Sequence, residues 1–195
     1  MPGPDPVPAI KSRARALGFD AVSRATPLDV MKTGLNNMAT VGEIRANAIM
    51  GDFGGRGWEW IGNFLALGGL WLLMRRIIRW QIPLGVILGL LVPASLMYIV
   101  DPGTNPSPGF HLFAGATILC AFFVATDPVS AATSPRGRFL YGLGIGLLTW
   151  CIRRWGSYAD GIAFAVLIMN MAVPAIDYMT RPRIVGHGIR EQSRG

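Results

Sequence analysis

The chain has 195 residues, of which 51% are apolar and only 15% are charged, and its formal net charge is +7. An ordinary soluble domain carries about 25% charged residues, so this composition argues against a soluble globular protein and favours an integral membrane protein. No basic run interleaved with aromatic residues appears. We therefore expect the bilayer as a partner and do not expect nucleic acid.

The N-terminal part of the chain is too polar to cross a bilayer. Residues 1–19 are rich in proline and then basic, which predicts a flexible tail, and they lack the apolar core of a cleavable signal peptide. Residues 20–57 are polar to mixed and rich in glycine. They are too short for an independent core, and we predict that they form an ordered extramembrane loop lying on the membrane domain.

Five apolar segments follow and predict an all-α membrane domain over residues 58–179, with a C-terminal tail at 180–195. Several are shorter than the roughly 20 residues of a full span, and short segments interrupted by Gly or Pro are typical of transporter cores with broken helices. Glycines on the second and fourth segments are expected to let helices approach closely. The segments cover residues 58–74, 82–100, 110–125, 139–152 and 161–178, and the glycines are Gly85, Gly89, Gly142, Gly144 and Gly146.

The stretch 101–150 holds the most unusual pattern, because an Asp-Pro pair, Asp127-Pro128, ends one apolar run shortly before the next begins. An acid and a helix-breaking proline at membrane depth must face protein or a cavity. We read this stretch as two membrane helices joined at a functional re-entry point.

Basic residues predict the orientation. Three arginines at 75–79, two at 136–138 and four in the C-terminal tail fall on one side of a five-span protein, whereas the other side has the uncharged-to-acidic loop 101–109 and Arg153-Arg154. The positive-inside rule then places the C-terminus in the cytoplasm and the loop 20–57 outside.

A short motif precedes the first apolar segment: Asp20-Ala-Val-Ser23-Arg24-Ala25-Thr26. It resembles the flavinylation signal Asp-x-x-Ser/Thr-Gly-Ala-Thr of the RnfD component of the Rnf electron-transport complex, and equally that of the NqrB component of the sodium-pumping NADH:quinone reductase. Asp20, Ser23, Ala25 and Thr26 match, while Arg24 stands where the family usually has Gly. Judged from the residues alone, Thr26 is equally an N-cap or turn threonine.

Three further stretches are similar to the same RnfD component: GDFGG at 51–55, ATDPVSAATSPRGR at 125–138 and YADGIAFAVLIMNMAVPAIDYMTRPR at 158–183. The resemblance implies a fold of ten helices in two inverted five-helix repeats, similar to urea transporters, of which this chain corresponds to the C-terminal half. It implies FMN bound covalently to Thr26 through its phosphate, a flavin transferase as modifying partner, and the other subunits of an Rnf-type complex in a bacterial inner membrane, with the Thr26 loop periplasmic.

The function that the resemblance implies is that of a membrane subunit of an ion-translocating ferredoxin:NAD oxidoreductase, which couples electron transfer to ion movement. Two alternatives stay open. The first is that the chain is one half of a flavin-free channel or solute transporter, and the second is that it is an inactive truncated fragment.

Acidic side chains are the candidates for an ion pathway. Asp127 ranks first, because Pro128 frees a nearby carbonyl and Thr126, Ser130 and Thr133 add oxygens for a hard cation. Capping of a half-helix is an equally good explanation of Asp127. Asp160, before the fifth segment, is the second candidate, and a helix cap is the favoured explanation there.

The remaining polar residues of interest favour structural roles. Asp177 is expected to pair with Arg181 at i, i+4, and Glu59 to lie at the membrane interface. Trp58 and Trp60 are expected in an aromatic belt, or beside a flavin ring. Cys120 and Cys151 are expected to be buried structural thiols, and His111 and His187 to lack partners of ligand type. Asn170 is expected to form a hydrogen bond to another helix. No metal or catalytic site is expected.

Overall fold

The computed structural model describes residues 26–47, 50–55 and 57–180, and within them the chain is all-α apart from one isolated β-bridge between Met50 and Gly55. The expected all-α class is therefore confirmed for the described part of the chain. Its elements are α1 Pro27–Asn36, α2 Val41–Arg45, α3 Trp58–Met74, α4 Gln81–Val100, α5 Pro108–Phe113, α6 Thr117–Leu119, the π-helix π1 Cys120–Val124, α7 Pro135–Trp155 and α8 Ile162–Thr180.

The polar region before α3 contains two short helices that the sequence did not predict. Each begins at a threonine N-cap, Thr26 for α1 and Thr40 for α2, whose side chain accepts a backbone N–H of the first turn. Their buried side chains form a small core together with two residues of the third apolar segment, Phe110 and Ala114. The region is thus docked on the apolar helices through its own hydrophobic face.

The apolar segments become helices close to the expected bounds, and two of them qualify as candidate membrane spans by length and composition. These are α4 and α8, with mean hydropathies of 2.1 and 1.8, and both run continuously through an internal proline, Pro93 and Pro174. By contrast, α3 has 17 residues, α7 carries arginines at both ends, and the third segment is broken. Five crossings of the membrane stay a prediction.

The most extensive helix–helix contact in the described chain is the parallel seam between α4 and α7, and glycine makes it possible. A Cβ placed on Gly85 would lie 2.6 Å from the carbonyl oxygen of Phe139, and one on Gly142 would lie 2.5 Å from that of Ile82. Real Cβ atoms do not approach so closely, so the two backbones touch where any side chain would separate them. The predicted small faces on these two helices are confirmed, and Gly144 packs against Met169 of α8.

The outward faces of α3 and α8 carry large apolar side chains that no described residue covers. On α3, Trp60, Phe64 and Leu67 are 62–68% exposed, and on α8, Met171 and Met179 are 78–82% exposed. Soluble monomers rarely expose contiguous apolar patches of this kind. The two faces are therefore suited to contact with lipid or with other membrane helices.

Candidate functional site

Thr26, the residue of the flavinylation-like motif, caps the N-terminus of α1 and is exposed. Its Oγ1 accepts the N–H of Asp29 at 3.3 Å and donates to no described residue. The cap therefore uses a lone pair of the oxygen and leaves the hydroxyl hydrogen replaceable, so the capping role and an attachment role are compatible. Asp20, Ser23, Arg24 and Ala25 lie outside the described residues.

The glycine-rich turn at 51–55 packs against Pro27, the residue after Thr26. Gly55 is buried, and a Cβ placed there would overlap the ring of Pro27 and lie 3.2 Å from Cδ1 of Trp58. Both backbone N–H groups of Phe53 and Gly54 donate to one carboxylate oxygen of Glu59, each at 2.7 Å. Glu59, which was expected simply to lie at the interface, thus holds the turn that supports the start of α1.

Lys32 joins α1 to the C-terminal end of α7. Its Nζ donates to the carbonyl oxygens of Tyr158 at 2.6 Å and Ile152 at 3.4 Å. A cation at the negative end of a helix is favourable, although partial burial lowers the pKa of Lys32 below its usual value. On the same helix, Leu28 and Met31 pack into the small core described above. The helix that begins at Thr26 is therefore held by both charge and apolar contact.

The third apolar segment, expected as one run over 110–125, is broken at residues 114–116. Helix α5 ends at Phe113, Gly115 takes a positive φ of 74°, and α6 restarts at Thr117 before passing into π1. A break of this kind leaves carbonyl groups at the end of α5 and N–H groups at the start of α6 without helical partners. At membrane depth such groups require partners from the protein itself.

Arg153 supplies the partners for the carbonyl side of the break. Its Nη1 donates to the carbonyl oxygen of His111 at 2.6 Å, and its Nη2 donates to the carbonyl of Ala114 at 3.3 Å and the hydroxyl of Thr117 at 2.9 Å. The arginine side chain is only 2% exposed. Sequence reasoning treats Arg153 only as a topology charge, and His111 contributes its backbone rather than its ring.

Asp160 completes the arrangement. One oxygen pairs with Nη2 of Arg153 at 2.9 Å, and the other accepts the N–H of Ala116 at 2.9 Å. The cation thus lies at the C-terminal, negative end of α5 and the anion at the N-terminal, positive end of α6, each at the favourable pole. Asp160 was expected to cap its own helix or to carry ions; the structure shows it bonded to a different helix, across the break.

Asp127 occupies a different environment, at the opposite end of α7. Its side chain is exposed and accepts the N–H of Val129 at 3.3 Å and the hydroxyl of Ser130 at 3.0 Å. Because α7 has 21 residues and a helix rises about 1.5 Å per residue, Asp127 and Asp160 are separated by roughly 30 Å. We call these two regions the Thr26 end, which contains Arg153 and Asp160, and the Arg79 end, which contains Asp127.

Other candidate residues have plain structural surroundings. Asp177 is buried and accepts the N–H of Thr133 at 2.9 Å, while its expected partner Arg181, like His187, lies outside the described residues. Asn170 accepts a hydrogen bond from the Tyr141 hydroxyl at 2.5 Å, so the expected interhelical bond is confirmed. Within the described residues, no group of three metal-ligating side chains occurs.

The comparisons with known proteins agree with one another. A model of the NQR2, RnfD, RnfE family matches residues 5–186. The D component of the ion-translocating oxidoreductase complex of Aeromonas salmonicida is 53% identical over 170 residues, which are 87% of this chain and 48% of the relative. The components of that name from Aliivibrio salmonicida and Vibrio cholerae are each 51% identical over 88% and 87% of the chain. The chain thus spans about half the length of the curated relatives that it matches.

Proposed function

Because the chain belongs to the NQR2, RnfD, RnfE family, we propose that it acts as a membrane subunit of an Rnf-type ion-translocating oxidoreductase complex and carries FMN covalently on Thr26. The observation that carries this proposal is the exposed Thr26 hydroxyl at the start of a helix firmly held on the apolar bundle. A tethered FMN supplies reversible electron transfer at a fixed place.

The residues around Thr26 fit a phosphate ester. Attachment exchanges the O–H bond of Thr26 for an O–P bond to FMN, while a flavin transferase supplies the FMN from a flavin dinucleotide, whose departing nucleoside monophosphate takes up the proton. The negative phosphodiester then lies at the positive end of α1, which favours anions. Asp20, Ser23 and Ala25 precede the acceptor, and we assign them to recognition by the transferase.

The support of α1 determines how far the ring can travel. Pro27 is seated on Gly55, next to the indole of Trp58, and Lys32 fastens the other end of the helix to α7. A short, anchored tether keeps the redox group at high effective concentration near its electron-transfer partner. Trp58, 40% exposed beside this seat, offers an aromatic face for the isoalloxazine ring.

We further propose five membrane crossings, with the Thr26 end outside and the Arg79 end in the cytoplasm of a bacterial inner membrane. Arg79 and Arg138 line one cavity, so the two arginine-rich loops share one end of the molecule. At the Thr26 end, Arg153 is paired with Asp160, and Arg154 interacts electrostatically with Asp101. The difference in free positive charge favours this orientation.

Ion movement is assigned to the acids at the two ends. Asp160 lies at the broken segment, and transporters built of discontinuous helices place ion sites where those helices are interrupted. Asp127 lies at the Arg79 end among hydroxyl-bearing residues. The other subunits of the complex and the donor and acceptor of electrons are part of the same proposal.

The test of the flavin assignment uses co-expression with the flavin transferase, followed by in-gel flavin fluorescence and intact-mass measurement. We expect one FMN per wild-type chain and none in Thr26→Ala. Thr40→Ala is the matched control, because Thr40 caps α2 in the same way and is also exposed; it should lose a cap yet keep its FMN. Wild-type chain without FMN, in cells where related subunits are loaded, would refute the proposal.

A further inference from the structure

A cavity lies at the Arg79 end, away from Thr26, and has a volume of about 240 Å³. It is lined by the turn after α3, the first turn of α4, the loop 126–133 and the first turn of α7. The lining combines apolar side chains with arginine and threonine side chains. The lining residues are Ile77, Ile78, Arg79, Ile82, Thr126, Pro128, Ala131, Ala132, Thr133 and Arg138.

Two guanidinium groups in this cavity lack a carboxylate partner among the described residues. Nε of Arg138 donates to the carbonyl of Ala132 at 3.1 Å, which leaves its two terminal nitrogens free of described partners, and Arg79 makes no hydrogen bond or ion pair with any described residue. The nearby acids Asp127 and Asp177 form no ion pair with either arginine: Asp127 accepts bonds within its own turn, and Asp177 accepts the N–H of Thr133. Within the described residues, the terminal nitrogens of both guanidinium groups are therefore open to an anionic ligand.

The donor set matches a phosphate group. Guanidinium groups bind phosphate oxygens in a bidentate manner, and the Thr133 hydroxyl makes no hydrogen bond with a described residue. Sites for drug-sized ligands measure about 300–1,000 Å³, so a cavity of 240 Å³ suits a phosphate-bearing headgroup rather than a whole nucleotide.

The apolar part of the lining distinguishes a lipid from a free phosphate ion. Ile77, which is 64% exposed, lines the cavity together with Ile78 and Ile82. A phospholipid places its phosphate at the level of the helix ends and its acyl chains alongside the helices, so it can contact both the arginines and the isoleucines. Basic pockets between helices at the cytoplasmic side of a membrane bind anionic headgroups.

We propose that the Arg79–Arg138 cavity binds the phosphate of an anionic phospholipid. The binding depends on the membrane placement of the helices and not on the flavin. The bound phosphate ties the turn after α3 to the start of α7 by bridging one arginine from each. The site therefore goes beyond electron transfer and assigns to this end of the subunit a lipid requirement of its own.

The test measures lipid retained by the purified full chain, by native mass spectrometry after exposure to phosphatidylglycerol vesicles. Arg79→Gln is the main variant, because Arg79 makes no bond to a described residue whose loss would disturb the fold. We expect retention to fall about tenfold, the loss of one charge-assisted hydrogen-bond pair, and a comparable fall in Arg138→Gln. Arg136→Gln, an exposed arginine at the same end that does not line the cavity, should retain lipid like the wild type.

Two further arms separate the sources of phosphate. Vesicles of zwitterionic phosphatidylcholine should leave less lipid bound to the wild type, and inorganic phosphate at millimolar concentration should not displace phosphatidylglycerol. Equal retention by wild type and Arg79→Gln would overturn the proposal, and so would complete displacement by inorganic phosphate. Failure of flavin attachment to Thr26 would leave these readouts unchanged, so the two proposals fail separately.

Discussion

The charged side chains at the two ends of the helical bundle differ in burial and in their bonding partners. At the Thr26 end, Arg153 is buried and bonded to Asp160 and to the carbonyls of a broken helix. At the Arg79 end, Asp127 is exposed and bonded only to its own turn, and Arg79 has no partner among the described residues. The difference shows that the charged groups at the helix break bind the backbone, whereas those at the Arg79 end have few partners among the described residues.

The strongest test of this comparison is Arg153→Met. Removing the cation leaves Asp160 without its cationic partner and the carbonyl of Ala114 without a donor, and the carbonyl of His111 keeps only the hydroxyl of Thr117. Breaking a buried ion pair on one side typically costs about 3–5 kcal/mol. We expect a strong fall in the thermal unfolding temperature of the detergent-purified chain, together with increased exchange of amide hydrogens over α5 and α6.

Arg154→Met is the control, since Arg154 is the neighbouring exposed arginine and should change stability little. The double variant Arg153→Met with Asp160→Asn removes both charges and should recover part of the loss. An Arg153→Met protein that unfolds at the wild-type temperature would show that the break does not depend on this pair.

Gly55→Ala tests the contact between Gly55 and Pro27, and we expect a smaller loss of stability than in Arg153→Met. The added Cβ would overlap the Pro27 ring and press on Trp58, and overpacking of this kind costs about 1–3 kcal/mol. Hydrogen–deuterium exchange should become faster over α1, while exchange over the α4–α7 seam stays at the wild-type rate. Gly42→Ala is the matched control, because a Cβ there meets nothing within 4 Å.

An unchanged exchange rate over α1 in Gly55→Ala would mean that Pro27 is not seated on the glycine turn. Faster exchange over the whole chain would mean that the substitution unfolds the bundle rather than releasing α1. The comparison between α1 and the seam therefore distinguishes a local role of Gly55 from a global one.

Some of these features follow from local pattern and others do not. The glycine spacing on α4 and α7 predicts close backbone contact, and an amide in an apolar helix such as Asn170 predicts an interhelical bond. The break at 114–116 has no such signal, because Ala-Gly-Ala is also compatible with the small-residue face of a continuous helix. Proline, the usual sign of a break, is misleading here, since the helices that contain Pro93 and Pro174 are not interrupted.

The role of Arg153 is invisible in the sequence for a related reason. An arginine at the end of an apolar run has the same pattern whether it faces water or a buried break. Its partner Asp160 follows seven residues later, beyond the end of α7. The backbone carbonyls that Arg153 binds are about forty residues away in sequence, at the end of α5. Only the packing of α7 against the third segment reveals that these groups meet.

Asp127→Asn has the smallest expected effect on the fold and therefore separates function from structure most cleanly. Asparagine retains an oxygen that accepts the Val129 N–H, so the turn is preserved and the free energy of unfolding should change by no more than about 0.5 kcal/mol. Flavin attachment to Thr26 should be unchanged, since the two residues lie at opposite ends. If the carboxylate charge carries ions, ion-dependent turnover of the assembled complex slows, while flavin attachment and stability stay at the wild-type level.

Asp160→Asn gives the contrast, because it leaves Arg153 buried without its anion and should lower stability together with turnover. Unaltered ion-dependent turnover in Asp127→Asn would remove this acid from the proposed pathway.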